Sequence, residues 1–262
     1  MLENLKEIWQ RRHMVYIWTL YNLQARYINT RLVIVWILIQ PLAMTLIYAF
    51  AFGTILGVRA PRGGVPFICF FISGVTIWTF FSSCITLSHS SVVSNIGMMT
   101  QIRFPREAVV LVRFCETVVD FLVTFVIMVG ITAVYGYYPN TAYLFLPLIV
   151  LGYMLISLGL MFLFGSLSVY IRDIPQLISI ALRLLFYISG VIFSIDMLPE
   201  GLQRFVYVNP LAIMIQSFRD IILYAETPSL FDMGYILFVG LIFFLIGYGY
   251  FKQREKEFAD YL

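Results

Sequence analysis

The chain reads as an all-α integral membrane protein with six transmembrane helices, an N-terminal interfacial amphipathic helix, and re-entrant half-helices between the fifth and sixth spans. Three observations lead there. Of its 262 residues, 61% are hydrophobic and 12% charged, with a mean hydropathy of +0.91, which is more apolar surface than one globular core can bury. The apolar residues fall in runs of about 20 or more, the length a helix needs to cross a roughly 30 Å hydrocarbon layer. Backbone groups in lipid must be paired within their own segment, and the spacing of these runs suits helices better than the alternating strands of a barrel.

The N-terminal segment, residues 1–31, sets Leu2, Leu5, Ile8 and Trp9 at helical spacing against Glu3, Lys6, Glu7, Arg11 and Arg12, as in a helix lying on the membrane. These charges do not lead into a short apolar core and a cleavage site, so no removable signal peptide is expected. The six spans are read over residues 32–57, 67–94, 108–135, 143–170, 177–195 and 231–251. Between the second and third, residues 94–107 bring together Gly97, Arg103, Pro105 and Arg106, the one place mid-chain where basic charge, a helix-ending glycine and a proline meet. Residues 196–230 hold an apolar stretch too short to cross, broken by Pro199, Gly201, Asn209 and Pro210, and this reads as two short helices dipping into the outer leaflet. With no internal repeat or flexible linker, residues 1–262 are expected to form one domain.

Basic residues near span ends set orientation. One side collects Lys6, Arg11, Arg12, Arg26, Arg31, Arg103, Arg106, Arg172, Lys252, Arg254 and Lys256, and the other has Arg59, Arg62, Arg204 and Arg219, so both termini are expected in the cytoplasm. The net charge of +3 is spread over the connections and forms no patch for nucleic acid. Cys69, Cys84 and Cys115 lie inside apolar runs without paired spacing, and His13 and His89 stand apart from any acidic cluster. These five read as packing and ordinary polar residues, with no metal site.

No phosphate-binding loop, nucleophile elbow or pair of pocket carboxylates appears, and the soluble parts are too short for a nucleotide-binding domain. The chain therefore reads as having no catalytic site and no cofactor of its own. Arg113, Glu116 and Asp120 share one helix face at i, i+3 and i+7, where the preferred reading is a structural ion pair from Arg113 to Glu116 and the other is a proton or ion relay. Arg183, alone in the fifth span, either pairs with Asp120 or lines a polar path. Trp36, Tyr48, Trp78, Phe80, Phe81, Phe186, Tyr187 and Phe193 read first as interfacial and lipid-facing bulk, and second as walls of a conduit on which sugar rings stack.

Several strings, in this order and at these intervals, resemble the permease subunits of ABC transporters that export polysaccharides. They are Arg26-Tyr27, Thr30, Leu32, Trp36 and Pro41 in and before the first span, Phe104-Pro105-Arg106-Glu107, Arg172-Asp173-Ile174 and Asn209-Pro210-Leu211. Val33 departs from the pattern, where the family often has glycine. The resemblance covers nearly the whole chain. It implies a short coupling helix within residues 94–107, with Ile96, Met99, Arg103, Phe104, Pro105, Arg106 and Glu107 as the docking residues for a separate ATPase. It further implies a partnership with a second copy of the chain and two copies of that ATPase, which would hold ATP and Mg. The substrate implied is a polyprenyl-diphosphate-linked glycan, O-antigen first and then capsule or teichoic acid, moved outward across a bacterial inner membrane. Arg26 and Arg31 then either meet the lipid diphosphate or anchor lipid head groups. The path candidates are Arg26, Arg31, Trp36, Tyr48, Trp78, Phe81, Arg183, Tyr187 and Phe193. The competing readings are a permease for a drug or plain lipid, a polytopic enzyme acting on lipid-linked sugars, and a stand-alone ion-coupled carrier.

Overall fold

A computed structural model describes residues 11–28, 43, 46–55, 64–101 and 104–258. The amphipathic stretch over residues 2–9, most of the first expected span with Arg31, Val33 and Trp36, and Arg103 lie outside the described residues. The helices in order are α1 (Arg12–Ile28), α2 (Phe67–Val93), α3 (Ile96–Gln101), α4 (Ala108–Val134), α5 (Leu146–Tyr170), α6 (Ile174–Ile188), α7 (Glu200–Val208), α8 (Pro210–Leu223) and α9 (Leu230–Arg254). A π-helical turn, Ala49–Ile55, packs against α2.

Among the described residues, four helices are long and apolar enough to cross a membrane: α2, α4, α5 with its lead-in turn, and α9. The bent α7–α8 pair would bring the number to five. The expected fifth span is shorter than its sequence reading, since α6 starts at Ile174, three residues early, and stops at Ile188 instead of residue 195. The cause of the stop is local. Gly190 takes a left-handed φ of 71°, which glycine adopts without steric cost, and turns the chain out of the helix. Beyond it, α7 and α8 meet at Asn209 with a bend of 98°. The asparagine accepts a bond from the Leu211 amide and so caps α8, while Pro210 occupies its first turn.

α2 is apolar on all sides and is the core post of the fold, with α4, α5, α6 and α8 packed around it. Its many hydroxyls are satisfied along the helix itself. Ser73, Thr76, Ser88 and Ser91 each donate to a carbonyl three or four residues back. Cys69 and Cys84 are buried free thiols on this helix, as small packing residues would be.

The tightest seam joins α5 to α9. Glycines recur at a seven-residue interval on both helices, Gly152 and Gly159 facing Gly240 and Gly247. A Cβ on Gly240 would stand 2.6 Å from the Gly152 carbonyl oxygen, and one on Gly247 would run into the Gly159 carbonyl. Small residues let the two backbones touch, which maximises dispersion contact where lipid offers no hydrophobic drive.

Candidate functional site

Between α1, α2, α4, α6 and the Tyr48 turn lies a cavity of about 680 Å³. Its aromatic wall comes from Tyr48, Phe71, Trp78, Phe186 and Tyr187. Tyr48 stacks on Phe71 with centroids 4.8 Å apart, and Phe186 meets Trp78 edge-on at 5.5 Å. Another part of the wall carries hydroxyls, from Thr79, Ser82 and Ser83 on α2 and Thr117 and Thr124 on α4. Thr79, Ser82, Thr117 and Thr124 spend their protons on carbonyls of their own helices. Oxygen lone pairs remain to face the cavity, so that wall accepts hydrogen bonds and matches a ligand that donates them.

The floor is ionic. Glu116 on α4 is fully buried and receives three donors: Arg26 at 3.0 Å, Arg113 at 2.9 Å, and the Asn22 amide at 2.7 Å. Arg26 also reaches Asp120 at 3.0 Å. The Arg113 to Glu116 pair expected from the i, i+3 spacing is present, but α1 supplies partners that local spacing had no means to show. Two cations face two carboxylates, which is how charge is carried at membrane depth. Arg183 also lines the cavity. Arg26 already holds one Asp120 oxygen, and Arg183 has no hydrogen-bond or ion-pair partner among the described residues.

The structure therefore brings Arg26, Tyr48, Trp78, Arg183 and Tyr187 together and leaves other path candidates elsewhere. Phe81 is buried between Trp78 and Tyr153 and borders a separate apolar cavity of about 250 Å³. Phe193 sits in the bend after Gly190 and does not line the larger cavity.

The segment expected to couple to an ATPase, residues 94–107, holds α3 and the turn that follows. Ile96 and Met99 face inward and are buried, while Gly97 and Gln101 are exposed and Met98 is half-buried. Phe104 meets Trp18 of α1 edge-on at 6.0 Å. Pro105 is half-buried. Arg106 donates to the backbone carbonyl of Glu255, and the buried Glu107 pairs with Lys252 and accepts from Tyr248 at 3.2 Å. Burial pushes the Glu255 carboxyl above its usual range, against the pull of Lys252.

Arg219, read from the sequence as one of four basic residues on the non-cytoplasmic side, has a packing role that a charge count does not show. It is buried on α8 and donates to three carbonyls: Phe70 at 3.2 Å, Gly190 at 2.7 Å and Val191 at 2.6 Å. Its guanidinium carbon lies 3.6 Å from the centroid of the Phe70 ring. Asn209 adds a second tie, from its amide to the Ser189 hydroxyl at 3.0 Å. Together they fasten the α7–α8 elbow to the end of α6, the helix that carries Arg183, Phe186 and Tyr187 into the cavity.

The sequence profile of the ABC-2 type transporter family matches residues 15–223. Among curated proteins, the chain is 29% identical over 242 residues to an O-antigen export system permease protein RfbA of Klebsiella pneumoniae, covering 92% of each. It is 23% identical to the protein of that name from Myxococcus xanthus, over 99% of each. It is also 22% identical to the polysialic acid transport protein KpsM of Escherichia coli, over 90% of this chain and 91% of the other.

Proposed function

We propose, since this chain belongs to the ABC-2 type transporter family, that it is the permease subunit of an ATP-driven exporter of polysaccharide. The observation that carries this reading is the likeness, along at least nine-tenths of the chain, to proteins named for O-antigen export and polysialic acid transport. In the proposal the cargo is a polyprenyl-diphosphate-linked glycan, most readily an O-antigen, crossing a bacterial inner membrane from the cytoplasm. The chain works as a pair with a second copy of itself and with two copies of a separate ATPase that holds ATP and Mg. Six spans, cytoplasmic termini and an outer re-entrant elbow at residues 196–230 belong to the same proposal, as does the assignment of the cavity to the glycan path.

What supports the path assignment is the chemistry of the cavity walls. Sugar rings offer apolar faces to aromatic side chains and hydroxyl protons to acceptors, and this cavity supplies both. Arg26 is committed to Glu116 and Asp120, which favours its role as an anchor of α1 over that of a diphosphate ligand. Among the described arginines, Arg183 is the path candidate.

The test is loss and restoration of the gene with surface polysaccharide as the readout, together with purification of the chain from membranes. Loss of surface glycan and a co-purifying ATPase are expected. Intact surface glycan in the deletion strain would overturn the glycan assignment and leave a drug or plain lipid as cargo.

A further inference from the structure

We infer that Glu107 and Lys252 are positioning residues for coupling: their contact makes the end of α9 the strut through which movement of residues 96–107 reaches the α5–α9 pair. The inference rests on the reading that a separate ATPase docks on that segment.

Two consecutive residues, Arg106 and Glu107, both reach the last turns of α9. Arg106 takes the Glu255 backbone carbonyl, and one Glu107 oxygen receives both the Lys252 ammonium and the Tyr248 hydroxyl. Lys252 in turn holds both oxygens of the Glu255 carboxylate, at 3.0 and 3.1 Å. A joint made of one backbone bond and one buried charge pair resists rotation as well as displacement, because the two contacts lie at different points along α9. Glu107 is buried, so opening the pair leaves a desolvated carboxylate without its ammonium.

The far side of the joint is rigid. Phe251 and Phe258 are fully buried, with ring centroids 5.5 Å apart, and Phe251 packs edge-on against Phe162 of α5 at 5.1 Å. The Tyr170 hydroxyl at the end of α5 bonds Glu257 at 3.0 Å. Above these contacts, the glycine seam leaves no slack between α5 and α9. Close-packed interiors move as bodies instead of deforming. A push on Arg106 and Glu107 is therefore delivered to α5 and α9 together, and through α5 to α2 and the cavity wall it carries.

The test uses the full complex in membrane vesicles and reads three quantities: ATPase co-purified with the chain, ATP hydrolysed, and polysaccharide exported. For Lys252→Met and Lys252→Gln the first two are expected to stay within about twofold of wild type while export per ATP falls about tenfold or more. Export per ATP within about twofold of wild type in both variants would overturn the inference. So would a drop in co-purified ATPase matching the drop in export, since the pair would then serve assembly alone. If Lys252→Met fails to reach the membrane, Lys252→Gln is read against the same values. Wild-type chain that exports glycan without any ATPase would instead reject the underlying reading, and the same assay shows it.

Discussion

The guanidinium of Arg219 fills the space that a Cβ on Gly74 would need. The arginine has nowhere else to go, since three carbonyls and the Phe70 ring hold it in place. Gly74 and Arg219 are thus one packing unit on two helices 145 positions apart in the chain, and the Gly190 turn completes it by aiming two of the carbonyls.

Gly74→Ala is expected to cost about 1–3 kcal/mol, the usual cost of overpacking a filled site. Arg219→Leu should cost more, because the Gly190 and Val191 carbonyls lose the donor at once and each buried unpaired polar group costs about 1–3 kcal/mol. Thermal unfolding of the purified protein in detergent checks both. Equal stability of Gly74→Ala and wild type would show that the arginine can shift.

The ionic floor predicts an asymmetry. Glu116 is fully buried, whereas Arg26 and Arg113 keep about a third of their side-chain surface exposed. Removing the carboxylate with Glu116→Ala leaves the two arginines with Asp120, beside Arg26, as the remaining counter-charge among the described residues, and breaking a buried pair this way costs about 3–5 kcal/mol. Arg113→Ala should cost well under half of that, since Arg26 and Asn22 still hold Glu116 and the lost pair is solvent-screened. Melting temperatures of the two variants give the order. Glu116→Gln with near-normal export would also separate a structural cluster from a proton relay.

Arg183→Leu keeps the apolar face of α6 and removes the one cavity arginine without a partner among the described residues. Export is expected to fall roughly tenfold, about 1.4 kcal/mol, with normal membrane assembly. Unchanged export in well-assembled chain would remove Arg183 from the path.

The seam between α5 and α9 sets up a paired comparison on one helix. A Cβ on Gly247 meets the Gly159 carbonyl, while one on Gly249 meets open space. Gly247→Ala should therefore lower stability by about 1–3 kcal/mol. Gly249→Ala should be neutral or slightly stabilising, since alanine is the better helix former. Similar melting temperatures for the two would mean the helices can separate without cost.

On α3, adjacent methionines have different surroundings. Met99 belongs to the buried core and Met98 is half-exposed. Met99→Ala should cost about 2–5 kcal/mol of stability, as a cavity in a packed core does. Met98→Asp, at a half-buried side chain packed against that core, should cost less stability than Met99→Ala and reduce the ATPase recovered with the chain. Recovery unaffected by Met98→Asp would move the docking surface off this helix.

How far these features are legible in the sequence depends on how local their causes are. The spans over 67–94, 108–135 and 231–251 match α2, α4 and α9 to within three residues, because each is an apolar run closed by proline, glycine or charge. The early end of α6 has a local cause in Gly190, but the arginine about thirty positions later that takes the Gly190 and Val191 carbonyls leaves no local trace. The Arg113 to Glu116 pair is readable from its spacing alone. Its larger setting was hidden because Asn22 and Arg26 stand 94 and 90 positions from Glu116. A charge balance across neighbouring helices was the available signal, as two carboxylates with one arginine in a span call for another cation. The cavity aromatics were readable as candidates, but only packing distinguishes Trp78, which lines it, from Phe81 three residues later, which does not.

The contact from Arg106 to Glu255 spans 149 positions of the chain. At roughly 5–20 residues per second, the ribosome finishes residues 104–107 about 7–30 s before it makes the turn that holds them. During that interval the acid at Glu107 has no Lys252 ammonium beside it, and residues 104–107 have not taken their final form. On the proposed docking of residues 96–107, completion of the last helix acts as a timer: a chain stalled before Lys252 would present no finished face to an ATPase.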